Sequence, residues 1–254
     1  YQGRPKTNRL IYVRSGQPLV SLANRQVDLA NIQPEMAEPL KQKGLVVIRD
    51  ERGWNKKLMI NHKKVPFSDK RFRQALAFAI DQQEILDKSH GGFGAPASYG
   101  LLSIDHDMYN PDTPTYPFNS DKARSLIEAM GYQKGSDGFY QKDGRPLKIE
   151  LLSSNITVTG QSVADRDGEV IKKQLEQAGI RVDLVNLEHA TTDSRVRNWE
   201  FDLAVSGHGG VSGDARILNE MISSKYGSGS VNSARYDVNP ELNRLLEEQM
   251  LEMD

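Results

Sequence analysis

At 254 residues the chain has room for one large domain or two small ones, and its 37% hydrophobic and 26% charged content suits a well-solvated protein with an adequate core. It contains no cysteine, which excludes disulfides, thiolate catalysis and cysteine-based zinc sites, and no run approaches the roughly 20 apolar residues that span a bilayer. The net charge of −1 hides an asymmetry: residues 1–75 carry 16 Lys+Arg against 6 Asp+Glu, the remainder 17 against 28. The basic residues are spread through ordinary strand and helix patterns with no accompanying series of aromatics. They read as a solvated face, or a contact within a larger protein, and no nucleic-acid partner is expected.

The first 63 residues read as alternating short elements: a strand at Arg9–Val13, a helix at Leu19–Asn24, a strand at Val27–Ile32 and a helix from Glu35 to Lys43 after Pro34. Strands are predicted at Val46–Arg49 and Lys57–Asn61. Together they make a partial sheet layer without a complete core. From Asp69 to Ile80 an apolar stripe at helical spacing predicts a core helix, with Ser68 as its cap. Asp81 followed by Glu84 predicts a second helix that ends at Gly91 and Gly92. Residues 95–118 are loop-rich. A helix is predicted at Asp121–Met130, stopped by Gly131. A hairpin turns at Asp143-Gly144 into a strand at Leu147–Ser153. Helix Val163–Ala178, strand Ile180–Leu187, a polar segment His189–Asn198 and strand Phe201–Val205 then follow in a βαβ rhythm. A final amphipathic helix runs from Pro240 to Asp254.

The strand at Phe201–Val205 gives way to Ser206, Gly207, His208, Gly209, Gly210, Val211, Ser212 and Gly213, with Asp214 opening a short helix. Such glycine density lets a ligand or another backbone approach closely, and ligands of open α/β sheets gather past the carboxyl ends of strands. Ser206, Gly207, His208, Gly209, Gly210, Val211 and Asp214 are therefore the candidate ligand-binding residues. The alternative is a surface loop made of turn residues. Arg195, Arg197 and Arg216 stand near strand ends as further candidates for charged-ligand contacts.

The remaining chemistry is sparse. His62, His90, His106, His189 and His208 form no metal-binding spacing, and Asp105-His106-Asp107 reads as solvated surface, so no metal or cofactor is expected. Ser206, His208 and Asp214 hold the residue types of a nucleophilic triad, but three residues of one short loop rarely converge. The expectation is a protein that is not an enzyme. A hydrolase using Ser206 and His208 is the alternative.

Trp54–Ala97 reads W-x3-LMIN-x4-PFSDKRFRQALAFAIDQQEIL-x4-GGFGAPA. This block resembles the peptide/nickel-type (family 5) extracellular solute-binding proteins of ABC importers. Tyr116-Pro117-Phe118-Asn119, Gly131-Tyr132, Gly138, Gly179-Ile180, Phe201-Asp202 and Asn239-Pro240-Glu241-Leu242 match later family segments in the same order. The resemblance implies an α/β, type II periplasmic-binding-protein-like lobe, a mixed sheet flanked by helices. It also implies that the chain is a fragment. Residues 1–63 would be a partial segment of the first lobe, and residues 64–254 the second ligand-binding lobe without its C-terminal return strand.

The implied function is the substrate-binding component of an ABC importer. It would capture a peptide-like or other small solute between two lobes and deliver it to the permease's transmembrane subunits. The implied state is a monomer in the periplasm or on the extracellular face of the cytoplasmic membrane. A chaperone or signalling module on the same scaffold is a further alternative. At the loop after Phe201-Asp202 the sequence departs from the family: His208 stands at its tryptophan position, Val211 at the aspartate that pairs with a peptide amine, and Ala215 at a proline. The ligand implied is thus not a plain peptide N-terminus.

Overall fold

A computed structural model describes residues 6–32, 36–48, 54–158, 161–209, 214–226, 229, 231–232, 234–237 and 239–252, with side chains left out at 156–158, 161–164 and 208. The chain divides into two units, residues 1–47 with 157–163, and residues 48–156 with 164–254. The smaller unit holds two short helices, α1 (Pro18–Ala23) and α2 (Ala37–Gln42). The strands predicted at Arg9–Val13 and Val27–Ile32 do not form, nor does one at 46–48; Arg49 lies outside the described residues. A strand exists only where a neighbour takes its backbone hydrogen bonds. Leu10, Ile11, Tyr12, Val13 and Val46 accordingly stand exposed, Tyr12 at 89%.

The larger unit is built on one mixed sheet. Strand β1 (Trp54–Ile60) pairs antiparallel with β8 (Leu203–Gly209). Strand β8 pairs parallel with β5 (Lys148–Val158), and β5 pairs parallel with β7 (Arg181–Leu187). Strand β6 (Gln161–Ala164) also pairs with β5. A separate meander of β2 (Gln133–Lys134), β3 (Tyr140–Lys142) and β4 (Arg145–Pro146) turns at Asp143 and Gly144, both at positive φ, as Asp-Gly hairpins require.

Successive side chains along a strand face opposite sides, so the sheet separates two cores. On one side Ile149, Leu151, Leu203 and Val205 pack against α3 (Lys70–Ala79), α5 (Ser120–Ala129) and α6 (Asp167–Gln177). On the other, Met59, Leu152 and Ala204 meet Phe201 and Val196 of α7 (His189–Arg197). The predicted polar segment is this helix. It has few apolar residues because only Thr192 and Val196 are buried.

Helix ends follow local chemistry. The cap of α3 is Asp69, not Ser68: the Asp69 carboxylate accepts from the Arg71 amide at 2.8 Å. Helix α4 (Gln82–His90) starts at Asp81, whose Oδ1 accepts from the amides of Gln83 and Glu84. Glu84 does not return to the Asp81 amide as a capping box would. Gln174 of α6 does: its Oε1 accepts from that amide at 3.1 Å and its Nε2 donates to Glu84 at 2.7 Å. Helix α6 begins at Asp167 and not at Val163, because 161–164 pair as β6. Helices α8 (Ile217–Ile222) and α9 (Pro240–Leu251) complete the unit, α9 capped by Asn239.

Candidate functional site

The glycine-rich stretch is not a loop where it begins. Strand β8 continues to Gly209, and its ladder places Ser206 opposite Lys57, Gly207 opposite Lys56, His208 opposite Asn55 and Gly209 opposite Trp54. Ser206 is buried at 5% exposure and Gly209 is exposed. The His208 side chain, Gly210 and Val211 lie outside the described residues. Asp214 is exposed, and its carboxylate takes the Arg216 guanidinium at 2.6 Å and the Arg216 amide at 2.9 Å, which hold it below the usual carboxylate range. Of the candidates, Ser206, Gly207, His208 and Gly209 share one strand, and Asp214 stands apart in a local pair with Arg216. Arg195 is engaged by Glu150 at 2.7 Å.

Gly207 has a concrete reason to be glycine. A Cβ there would stand 2.6 Å from the Trp54 Nε1 and 2.8 Å from the Asn55 carbonyl oxygen. The space is taken by the indole of β1, which remains 62% exposed. An exposed aromatic plate thus lies over the last pairs between β1 and β8.

Residues 56 and 57 of β1 point to opposite sides and anchor two polar clusters that the sequence did not announce. On the α6 side, Lys56 pairs with Asp165 and, at 3.3 Å, with Asp167. His90 from the end of α4 approaches Asp167 at 2.9 Å. Both carboxylates are nearly fully buried. The His90 imidazole is raised above its ordinary value chiefly by its bond to Asp167. Burial works to raise the Asp167 carboxyl, but His90 and Lys56 outweigh it and hold it low. The only sequence trace of this cluster is Asp165-Arg-Asp167 at alternate positions before a helix.

On the α7 side, the Lys57 Nζ donates to the Val231 carbonyl at 2.5 Å. Burial pushes the Lys57 amine down to about 8, partly offset by Asp193. Among the described residues no group of three or more His, Cys, Asp or Glu side chains could hold a metal ion.

The sheet and its flanking helices match known proteins. A family model described as bacterial extracellular solute-binding proteins, family 5 (middle region), matches residues 1–230. The chain belongs to this family. A relative from Haemophilus influenzae named heme-binding protein A is 26% identical over 95% of the chain and 41% of its own length. Among solved structures, an oligopeptide-binding protein AppA from Bacillus subtilis in complex with a nonapeptide superposes with TM-score 0.75 and 22% identity. It covers 95% of this chain, which spans 48% of it. A periplasmic oligopeptide-binding protein from Thermotoga maritima gives TM-score 0.78 at 20% identity, over 96% of this chain and 48% of its own. The fold is therefore that of the type II periplasmic binding proteins. The chain spans less than half the length of these relatives.

Proposed function

We propose that the chain is part of the solute receptor of an ABC importer, which captures a peptide-like or other small solute and passes it to the membrane permease. The observation that carries this reading is the family match across residues 1–230. In this reading the larger unit is most of one ligand-binding lobe, and the smaller unit is a returning piece of the other. The exposed apolar residues of the smaller unit, Leu10 to Val13 and Val46, support that assignment, since a complete lobe would cover them. The receptor acts as a monomer in the periplasm or at the outer face of the cytoplasmic membrane. No helix among the described residues is long and apolar enough to cross a membrane.

The site comprises Ser206, Gly207, His208 and Gly209 of β8 together with Gly210, Val211 and Asp214, which follow them in sequence. The ligand is held there without being transformed. Ser206 is buried in a strand ladder and Asp214 is bound to Arg216, which disfavours a Ser206–His208–Asp214 triad. The test is to purify the natural full-length polypeptide and titrate a mixed di- to nonapeptide pool while following its thermal midpoint. A receptor binding at 100 times its Kd gains about 2.7 kcal/mol of stability. Hydrolysis of the pool, or no stabilisation by it and no small molecule released on denaturation, would overturn the reading.

A further inference from the structure

The chain has two tryptophans, both in the larger unit, and their surroundings differ. The ring of Trp199 has the Lys63 ammonium at 4.1 Å and the Arg235 guanidinium at 3.9 Å. Trp54, the first residue of β1, keeps 62% of its surface exposed. Indole is among the largest apolar groups a chain can bury, and leaving it in water forgoes that gain. An exposed tryptophan alone makes no site. What lies beneath Trp54, and where it stands on the sheet, set it apart.

Residues 54 and 56 of β1 face the same side of the sheet, as do their partners Gly209 and Gly207. The indole leans diagonally onto Gly207, where a Cβ would meet its Nε1 at 2.6 Å and its Cε2 at 2.9 Å. The ring is thus laid against the β8 backbone, in a place that a side chain at 207 would take from it. Gly209, directly opposite Trp54, is exposed and is the last residue of β8. The residue that could have covered the indole from the neighbouring strand is therefore a glycine. Strand β8 runs parallel to β5, and α/β sheets receive their ligands past the carboxyl ends of such strands.

We propose that Trp54 is a specificity-determining residue of the solute site, a platform on which an aromatic side chain of the captured solute stacks; the assignment rests on the solute-receptor reading above. The neighbours of the indole decide the class. A cation is drawn to an indole face as well. Here Lys56 stands one pair along on the same side as a like charge, and the carboxylates near it, Asp165 and Asp167, are already engaged by Lys56 and His90. A sugar ring asks for hydrogen-bonding side chains at the rim of the plate, and the facing positions on β8 are Gly207 and Gly209. A neutral flat ring asks only for an apolar face and room beside it, which the indole and the exposed Gly209 supply.

The experiment uses the natural full-length polypeptide and two probes, the tripeptide Ala-Phe-Ala and trialanine, titrated by calorimetry. The wild type binds Ala-Phe-Ala about tenfold more tightly than trialanine. Trp54→Leu, apolar but without a ring, brings the two affinities to within about twofold of each other. Trp54→Phe keeps a ring and most of the preference, and guards against a misfolded leucine variant. Acrylamide quenching gives a second reading: the emission that disappears in Trp54→Phe is quenched freely without ligand and is protected by Ala-Phe-Ala. A preference that survives in Trp54→Leu, or a Trp54 emission already shielded without ligand by another part of the polypeptide, overturns the platform. Equal binding of the two peptides by the wild type overturns it and leaves the receptor reading standing. Binding of neither peptide overturns both.

Discussion

Gly207→Ala tests the ladder at the end of β8. The added methyl would sit 2.6 Å from the Trp54 Nε1 and 2.8 Å from the Asn55 carbonyl oxygen, against ordinary contact distances of about 3.5–4.0 Å. The two contacts yield differently. Trp54 is 62% exposed, and its indole can swing into water. The Asn55 carbonyl belongs to the backbone of β1, and Asn55 is buried with its side-chain amide donating to the Leu101 carbonyl at 3.1 Å. Relief there means opening the β1–β8 ladder. Overpacking of this kind costs about 1–3 kcal/mol. In a domain of about 200 residues that lowers the thermal midpoint by about 2–12 °C. Differential scanning calorimetry of the single variant, of Trp54→Ala and of the double variant separates the terms. The double variant should retain most of the loss, because the backbone contact survives removal of the indole. A Gly207→Ala midpoint within about 1 °C of the parent, or full rescue by Trp54→Ala, would refute the argument.

Three further outcomes are expected. His90→Gln removes the partner of Asp167. Because the folded His90 value lies above its ordinary 6.5, its stabilisation is fully present below that pH and is lost as pH rises through the raised value; urea midpoints of parent and variant should therefore differ most at mildly acid pH and converge toward alkaline pH. Asn61→Ala strips the amide that donates to the Phe201 carbonyl at 2.8 Å and the Trp199 carbonyl at 3.1 Å in a nearly inaccessible position, and should cost about 2–4 kcal/mol by urea unfolding. Asp81→Ala removes the acceptor of two α4 amides and should cost about 1 kcal/mol in the same assay, with helix content by circular dichroism nearly unchanged.

Much of the larger unit is legible in the sequence because local signals agree with tertiary ones. The stripe Phe72, Leu76 and Ala79 marks α3, Asp81 marks the start of α4, and Asp143-Gly144 marks the hairpin. The block that includes Asn61 carries the family, and the structure shows what that asparagine does: it ties the end of β1 to the chain entering β8. The strands expected before residue 49 fail because alternation in sequence says nothing of whether a partner strand exists. Helix α7 is hidden because a helix that buries only Thr192 and Val196 has no apolar stripe to read. The end of β8 reads as loop because glycine carries no strand preference, and only the indole of Trp54 across the ladder explains Gly207. The candidate residues are half legible for the same reason. Their place toward a strand's carboxyl end can be read, whereas Lys57 and Ser206 meet only through a register between distant segments.

The central claim is that this chain belongs to a receptor that holds a small solute unchanged. Native mass spectrometry of the natural full-length polypeptide, purified without added ligand, tests it most directly. The account predicts a mass excess of a few hundred daltons, on the order of a short peptide, released intact on denaturation and restored on adding it back. A polypeptide at its bare mass that takes up no solute from a peptide panel, or one that returns cleaved products, would contradict it.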